Sequence, residues 1–391
     1  MELDPEEINP IESTEPQVTE SEAMGKVRLV SGLYKDWFVE YASYVILERA
    51  IPAIEDGLKP VQRRILHAMY VMDDGRFNKV ANIIGATMAC HPHGDAAIGD
   101  ALVNLGQKEL LIDTQGNWGD VRTGDSAAAP RYIEARLSNF AKEVAFNEKT
   151  TEWQLSYDGR KREPISLPMK FPLLLAQGVE GIAVGLSTKI MPHNFIELCE
   201  ASIDILKGKQ VQIFPDFPTG GVIYGMEGVK QGLMTGRGRV VLRGKCNVET
   251  KANGREMIVI NEIPYQVNRD NLTDRIGQLV VDKTIEGITH VNNESNKREG
   301  TRIVIELKKD AVAQVIINQL YKYTELQTSY GINNVALTKG RPKIMNLRDL
   351  ISEFVDFRME VVIRRAKFEL RKAEERAHIL EGYLIALDHL D

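Results

Sequence analysis

Apolar positions recur at intervals of three and four from Leu33 to Ala50, through Trp37, Tyr41, Tyr44, Val45 and Leu47 to Ile51, which predicts a helix that Pro52 stops. Pro60 opens a second helix over Val61 to Tyr70. Two further helical patterns, Asn78 to Thr87 and Asp95 to Leu105, flank the turn Cys90-His-Pro-His-Gly94, a helix-turn-helix layout with Asp95 as the N-cap of its second helix. Leu110 to Arg131 is turn-rich, with Gly116, Gly119, Gly124 and Pro130 around Asn117 and Trp118, and is expected to set a helix carrying Tyr132 at an angle. Short apolar runs at Ile165 to Leu167, Leu173 to Leu175 and Ile182 to Val184, broken by proline and glycine, read as strands and tight turns.

From Ser202 to Lys343 the pattern is mixed α/β. Turns are expected at Pro218-Thr-Gly-Gly, Gly236-Arg-Gly-Arg and Ala252-Asn-Gly, and strands at Val240 to Leu242, Met257 to Ile260 and Arg302 to Leu307. Asn346 to Asp391 has no proline and one glycine. Its apolar residues run Leu347, Leu350, Phe354, Phe357, Val361 and then Leu370, Ala373, Ala377, Leu380, Leu384, Leu387, with Arg364 and Arg365 interrupting the seam. That is a long helix needing a partner helix, and the chain stops before a returning one.

The formal charge of −6 argues against a nucleic-acid binder until it is located. Residues 1–25 hold eight carboxylates and no lysine or arginine, which leaves 49 cations against 47 anions in the rest. The acidic segment 1–28 is expected to be a disordered tail. No apolar run reaches the length of a membrane span and no charged-then-apolar leader is present, so neither membrane nor secretion is expected. Three cysteines, Cys90, Cys199 and Cys246, lie far apart without a CxxC, as in a cytoplasmic protein without a disulfide framework or zinc site.

Three features carry candidate chemistry. Lys59, Arg63 and Arg64 gather at one helix start with no carboxylate between Lys59 and Val71, which favours phosphate binding over a solvated face. His91 and His93 stand two apart beside Cys90, poor chelate geometry for a metal but suited to phosphate contact. Arg131 precedes Tyr132 after a run of alanines. A phenol titrates near ~10, so ionising it at neutral pH costs about 4 kcal/mol, and a neighbouring cation lowers that cost. An isolated Arg-Tyr pair is also what a core tyrosine with a surface arginine would show. Arg237, Arg239, Arg243 and Lys245 add a basic stripe that fits either a DNA backbone or a solvated sheet face.

The order and spacing of Asp56-Gly-Leu-Lys-Pro-Val-Gln-Arg63-Arg64, His91-Pro-His93-Gly-Asp95, Gln115-Gly-Asn-Trp-Gly119, Ala127-Ala-Ala-Pro-Arg131-Tyr132 and Gly181-Ile-Ala-Val-Gly185 resemble the A subunit of the bacterial type IIA DNA topoisomerases, DNA gyrase and topoisomerase IV. The resemblance runs from about Gly32 to the last residue. It implies an α+β multidomain chain, with a winged-helix domain over 29–165, a tower domain over 166–343 and an outgoing coiled-coil helix over 344–391, cut before its return. It further implies Tyr132 as the nucleophile that forms a 5'-phosphotyrosyl link, and Arg131, Arg49 and His93 as its assistants. Lys59, Arg63, Arg64 and His91 would grip DNA, and Ile182 would wedge between base pairs. Ala96 and Asp100 would stand where the family anchors a hydrated magnesium ion for quinolone drugs, alanine replacing the usual serine. Double-stranded DNA, a homodimer through the DNA gate and an A2B2 assembly with the family's B subunit, which carries the ATPase and metal-binding domains, are implied as partners. Mg2+ and ATP are implied on that B subunit, since this chain shows neither a Walker A sequence nor an Asp-x-Asp pair. The compartment implied is the cytoplasm, at the chromosome. Pro130 and Ile133 depart from the family's usual residues. Gln115-Gly-Asn-Trp118 and Glu134-Ala-Arg-Leu-Ser138 lean toward topoisomerase IV. A non-enzymatic winged-helix DNA binder that retains the tyrosine is the alternative reading.

Overall fold

Proline at the first turn of a helix sacrifices no hydrogen bond, because the first N–H groups have no partner inside the helix. The computed structural model of the chain describes residues 20–251, 254–296 and 300–389, and Pro60 stands in this role at the start of helix α2 (Pro60–Val71). The Gln62 side chain accepts from the Lys59 N–H at 3.0 Å and closes the entry. The preceding helix α1 is longer than its apolar rhythm suggests, running Glu20–Val45 and widening into a π turn at Ile46–Ala50 before Pro52. Residues 1–19 of the acidic leader lie outside the described residues, and residues from Glu20 onward belong to the helix.

Helices α3 (Val80–Met88) and α4 (Asp95–Gln107) flank the Cys90–Gly94 turn. Gly94 rather than Asp95 is the N-cap, so Asp95 sits in the first turn, where its charge still favours the helix dipole. Ile65, Leu66, Ile83, Ile98 and Leu102 from these helices close one core. A three-stranded antiparallel sheet joins it, with Glu134–Leu137 between Asn78–Lys79 and Ile112–Gln115.

This sheet corrects the helix expected for the tyrosine. Ile133, Ala135 and Leu137 are buried at a period of two, so Tyr132 ends a turn at the head of a strand. Leu173–Leu175 is likewise helical rather than extended, within Leu173–Gln177 behind Pro172, because a short apolar run does not distinguish a buried helix turn from a strand. Ile165–Leu167 lies just past the strand Arg162–Pro164. The strand expected over Ile182–Val184 instead occupies Val179–Ile182, leaving Ala183 and Val184 in the hairpin turn before Ser187–Ile190.

That hairpin begins a five-stranded sheet ordered Val179–Ile182, Ser187–Ile190, Gln327–Asn333, Arg237–Arg243, Val222–Tyr224. The turn expected at Gly236-Arg-Gly-Arg contracts to Gly236 alone, at φ 77°, and Arg237 and Arg239 stand exposed at alternate positions of the strand. A four-stranded sheet, Lys245–Thr250, Glu256–Glu262, Ile303–Leu307 and Ile288–Asn293, packs its own core with helices Arg269–Val281 and Ala313–Tyr323. Of the Ala252-Asn-Gly turn, residues 252 and 253 lie outside the described residues.

The last helix, Leu347–Asp388, starts on the Asn346 side chain, which accepts from the Asp349 N–H at 2.8 Å. Its first half is buried through Val361, while Leu370, Leu380, Leu384 and Leu387 are exposed. Among the described residues no helix is long and apolar enough to cross a membrane.

Candidate nucleic-acid interface

Gly181 decides where the exposed hairpin lies. A Cβ there would stand 2.2 Å from the Ala50 carbonyl oxygen, so only glycine lets the strand close on the end of the π turn. Ile182, next along, projects into solvent with 81% of its surface exposed, and beside it the π turn carries Arg49. Between them opens a cleft of about 540 Å³, whose walls include Arg49, Lys59, His91, His93, Asp100 and Ile182. Residues far apart in the chain and singled out on separate grounds thus share one hollow.

The histidines are arranged as neutral groups. Arg64 Nη1 donates to His91 Nδ1 at 3.0 Å, and a guanidinium cannot accept, so that nitrogen carries no proton. Burial, then the charges of Arg64 and His93, push His91 down to about 4. His93 stacks on it with ring centroids 4.6 Å apart and pairs through Nε2 with the Tyr44 hydroxyl at 3.0 Å. Burial and the Arg49 and Arg64 charges hold His93 below the usual imidazole range, and its buried Nδ1 has no partner among the described residues.

The three cations at the start of α2 each have partners within the protein. Arg63 is buried and bound through Nε and Nη2 to Asp56, at 2.6 and 3.0 Å. Asp56 also accepts from the Leu167 N–H at 2.9 Å, which ties α2 to the segment after the strand Arg162–Pro164. Arg64 donates twice to the buried Glu163, at 2.7 and 2.9 Å, and stands 3.7 Å from Glu48. Lys59 gives its ammonium to the Glu180 carbonyl at 2.7 Å, and burial lowers its pKa while the Glu180 charge opposes the shift. The run without carboxylates from Lys59 to Val71 is therefore served by carboxylates from elsewhere, and Arg63 is held in a buried ion pair.

Arg131 and Tyr132 lie outside the cleft walls. Both are exposed, the Tyr132 N–H bonds the Ala129 carbonyl at 2.9 Å, and the Arg131 guanidinium sits over the Tyr132 ring, 4.7 Å from its centroid. Asp100 borders both regions, since it also lines a second hollow with Ala96, Ala127 to Pro130 and Ile133. Ala96 and Asp100 are exposed one turn apart on α4. The loop before the tyrosine is tied to the second core, where Asn268 donates to the Thr123 carbonyl and the Arg269 N–H to the Arg122 carbonyl, both at 2.7 Å.

Several residues of the cleft carry no readable signal in sequence. Lys108 and Glu180 look like ordinary surface charges, Tyr265, Gln266 and Tyr330 come from distant segments, and Tyr44, which pairs with His93 from behind the lining, looks like one step of a helical rhythm. Among the described residues no three His, Cys, Asp or Glu side chains gather as a donor set for a metal.

The α+β chain thus sets an arginine-stacked tyrosine on an exposed turn and, apart from it, holds a cleft lined by basic side chains and neutral histidines. The sequence pattern of the DNA gyrase/topoisomerase IV A subunit matches residues 49–391. The DNA gyrase A subunit of Staphylococcus aureus (strain NCTC 8325 / PS 47) is 44% identical over 382 residues, covering 93% of this chain and 43% of that protein. The DNA gyrase A subunit of Halalkalibacterium halodurans is 44% identical over 380 residues, covering 93% and 45%. This chain belongs to the family of DNA gyrase and topoisomerase IV A subunits, and it spans less than half the length of these relatives.

Proposed function

We propose that the chain is the DNA breakage and reunion part of a type IIA topoisomerase, with a winged-helix domain over 29–165, a tower domain over 166–343 and the start of a coiled coil over 344–391. The observation that carries the reading is the exposed Tyr132 with Arg131 over its ring, in a member of this family. The Tyr132 oxygen attacks a backbone phosphorus. A phosphotyrosyl bond forms at the 5' side as the phenol gives up its proton, the bond from phosphorus to the 3' oxygen breaks, and that oxygen takes up a proton in exchange. The link is an ester exchange, so reversal reseals the strand without an external energy source. Arg131 meets the charge that develops on the phosphoryl oxygens. Arg49 and His93 serve the scissile group from the cleft whose walls they line. Lys59, Arg64 and His91 shape the wall along which the backbone runs. Ile182, being apolar and exposed at the tip of a strand, enters between base pairs and bends the duplex.

Two such chains cut the two strands, and the ATPase-bearing B subunit completes an A2B2 assembly working at the chromosome in the cytoplasm. The reading assigns Mg2+ and ATP to the B subunit, as the family resemblance implies, with no step routed through either. The test is a covalent protein–DNA adduct trapped by denaturant. It should form when the chain, the B subunit, Mg2+ and DNA are combined, and be missing with Tyr132→Phe. Metal-dependent cutting by the chain alone, or an adduct with Tyr132→Phe, would overturn the reading. Salt-sensitive DNA binding without any adduct would make the chain a winged-helix binder instead.

A further inference from the structure

The strand that presents Ile182 is held at its root by a side chain from α4. The chain leaves the short helix Leu173–Gln177 and enters the strand Val179–Ile182 through Gly178, at φ 63°. A Cβ at Gly178 would lie 2.8 Å from the Ile190 carbonyl and 2.9 Å from the Pro192 nitrogen, so packing dictates the turn. The last carbonyls of a helix find no partner within it, and so sharp a turn directs them sideways. Here Lys108 Nζ takes both neighbouring carbonyls, Gln177 O at 3.0 Å and Gly178 O at 3.1 Å.

Lys108 is the residue that ends α4, the helix whose start follows the His91–His93 turn and whose exposed face carries Ala96 and Asp100. An ammonium among neutral carbonyls is held at a desolvation cost, and burial together with the nearby Lys59 brings Lys108 down to about 8. Lys59 makes the matching contact further along the strand, at the Glu180 carbonyl. Ile182 lies four residues beyond Gly178, roughly 13 Å of extended chain.

We propose that Lys108 is the positioning residue for Ile182: by clamping the Gln177 and Gly178 carbonyls to the end of α4, it fixes the root of the strand, so that the load of a bent duplex on Ile182 passes into the helix. This rests on the reading of Ile182 as the residue that enters the duplex. Without the clamp the hairpin rocks about Gly178, and insertion loses its rigid backing while the phosphate contacts remain.

The experiment uses the chain with its B subunit, together with a duplex carrying an energy-transfer dye pair. Bend, affinity and the salt dependence of affinity are compared for the unaltered chain, Ile182→Gly, Lys108→Met and Lys108→Arg. Charge-assisted hydrogen bonds to two carbonyls are strong enough that Lys108→Met should lower the bent-to-straight ratio by about tenfold. Affinity should change by less than about threefold and its salt slope not at all, because phosphate contacts set both. Lys108→Arg, which keeps the charge and the paired donors, should restore the bend. Normal bending in Lys108→Met, with bending lost in Ile182→Gly, rejects the role of Lys108 alone. Normal bending in Ile182→Gly rejects the reading of Ile182 itself. A salt slope that falls by about one in Lys108→Met makes Lys108 a phosphate contact and overturns the clamp. Should Lys108→Met melt early, the bend is read with Lys108→Gln, whose shorter uncharged side chain cannot span both carbonyls, and bending equal to that of the unaltered chain rejects the clamp.

Discussion

The start of α2 and the turn before the central strand of the small sheet both bring arginine to a place where phosphate is expected, and they are built in opposite ways. At α2, Arg63 and Arg64 are sunk among Asp56, Glu163 and His91, with ion-pair distances of 2.6 and 2.7 Å. At the turn, Arg131 stands exposed over an exposed tyrosine, anchored through the backbone. A guanidinium already bound to a buried carboxylate makes the wall rigid, whereas an exposed one is available to charge that arrives or develops. The difference separates arginines committed to the protein's own carboxylates from one that lies exposed at a turn.

The sharpest way to break that contrast is to remove the chemistry and leave the scaffold. Tyr132→Phe should reduce the trapped adduct by at least about a thousandfold, since the attacking oxygen is lost, with the thermal midpoint unchanged because the ring is exposed. Arg131→Gln should slow cleavage by about a hundredfold to a thousandfold, as for other donors aimed at developing charge. A large fall in thermal midpoint for either variant would make the turn structural.

The reverse test removes the scaffold. Arg63→Met leaves Asp56 buried without its cation, which costs about 3 to 5 kcal/mol in urea unfolding. The salt slope of DNA binding by the remaining folded protein should not move. A slope lower by about one would show Arg63 on a phosphate after all.

A third test uses pH. His91 titrates near 6.5 when unfolded and at about 4 in the fold, so between these values the unfolded chain binds the extra proton. Stability is therefore full above pH 6.5 and falls as pH drops toward 4, with about 3 kcal/mol attributable to this group. His193, fully buried and also at about 4, adds a loss of the same sign, so the measurement is the difference between the unaltered chain and His91→Gln. His91→Gln should flatten the acid limb of a urea-midpoint series, and identical limbs would place His91 outside the wall.

The smallest effect concerns the hollow between the two regions. Ala96 offers no hydroxyl to a hydrated magnesium ion, and one such hydrogen bond is worth roughly 1.5 to 3 kcal/mol, about tenfold to a hundredfold in affinity. Fluoroquinolones should stabilise the cleaved complex weakly, and Ala96→Ser should lower the midpoint of a drug titration of trapped complexes while religation without drug stays normal. Equal midpoints would remove Ala96 from that site.

Much of the fold is legible in residue order. Helices α2, α3 and α4, the capped start of the last helix, and the strands at Val240, Met257 and Ile303 follow from periodicity, proline and cap residues. Of the segments that mislead, two show the physical reason. The Tyr132 segment has apolar residues that satisfy both a helical and an alternating pattern over its short length, and only pairing with Ile112–Gln115 selects the strand. Leu173–Leu175 is too short for its period to show.

Residue order alone settles a local alphabet: where the chain turns, which residues can carry a nucleophile or a cation, and which family the motifs belong to. Which of the cations are already spoken for emerges only when the segments pack. The partners of Arg63, Arg64 and Lys108 lie 7, 99 and about 70 residues away, and for the latter two no spacing rule reaches across such separations. Ion pairs and carbonyl clamps depend on distances of about 3 Å, which packing of separate segments sets, whereas periodicity records only which face of one segment leaves water.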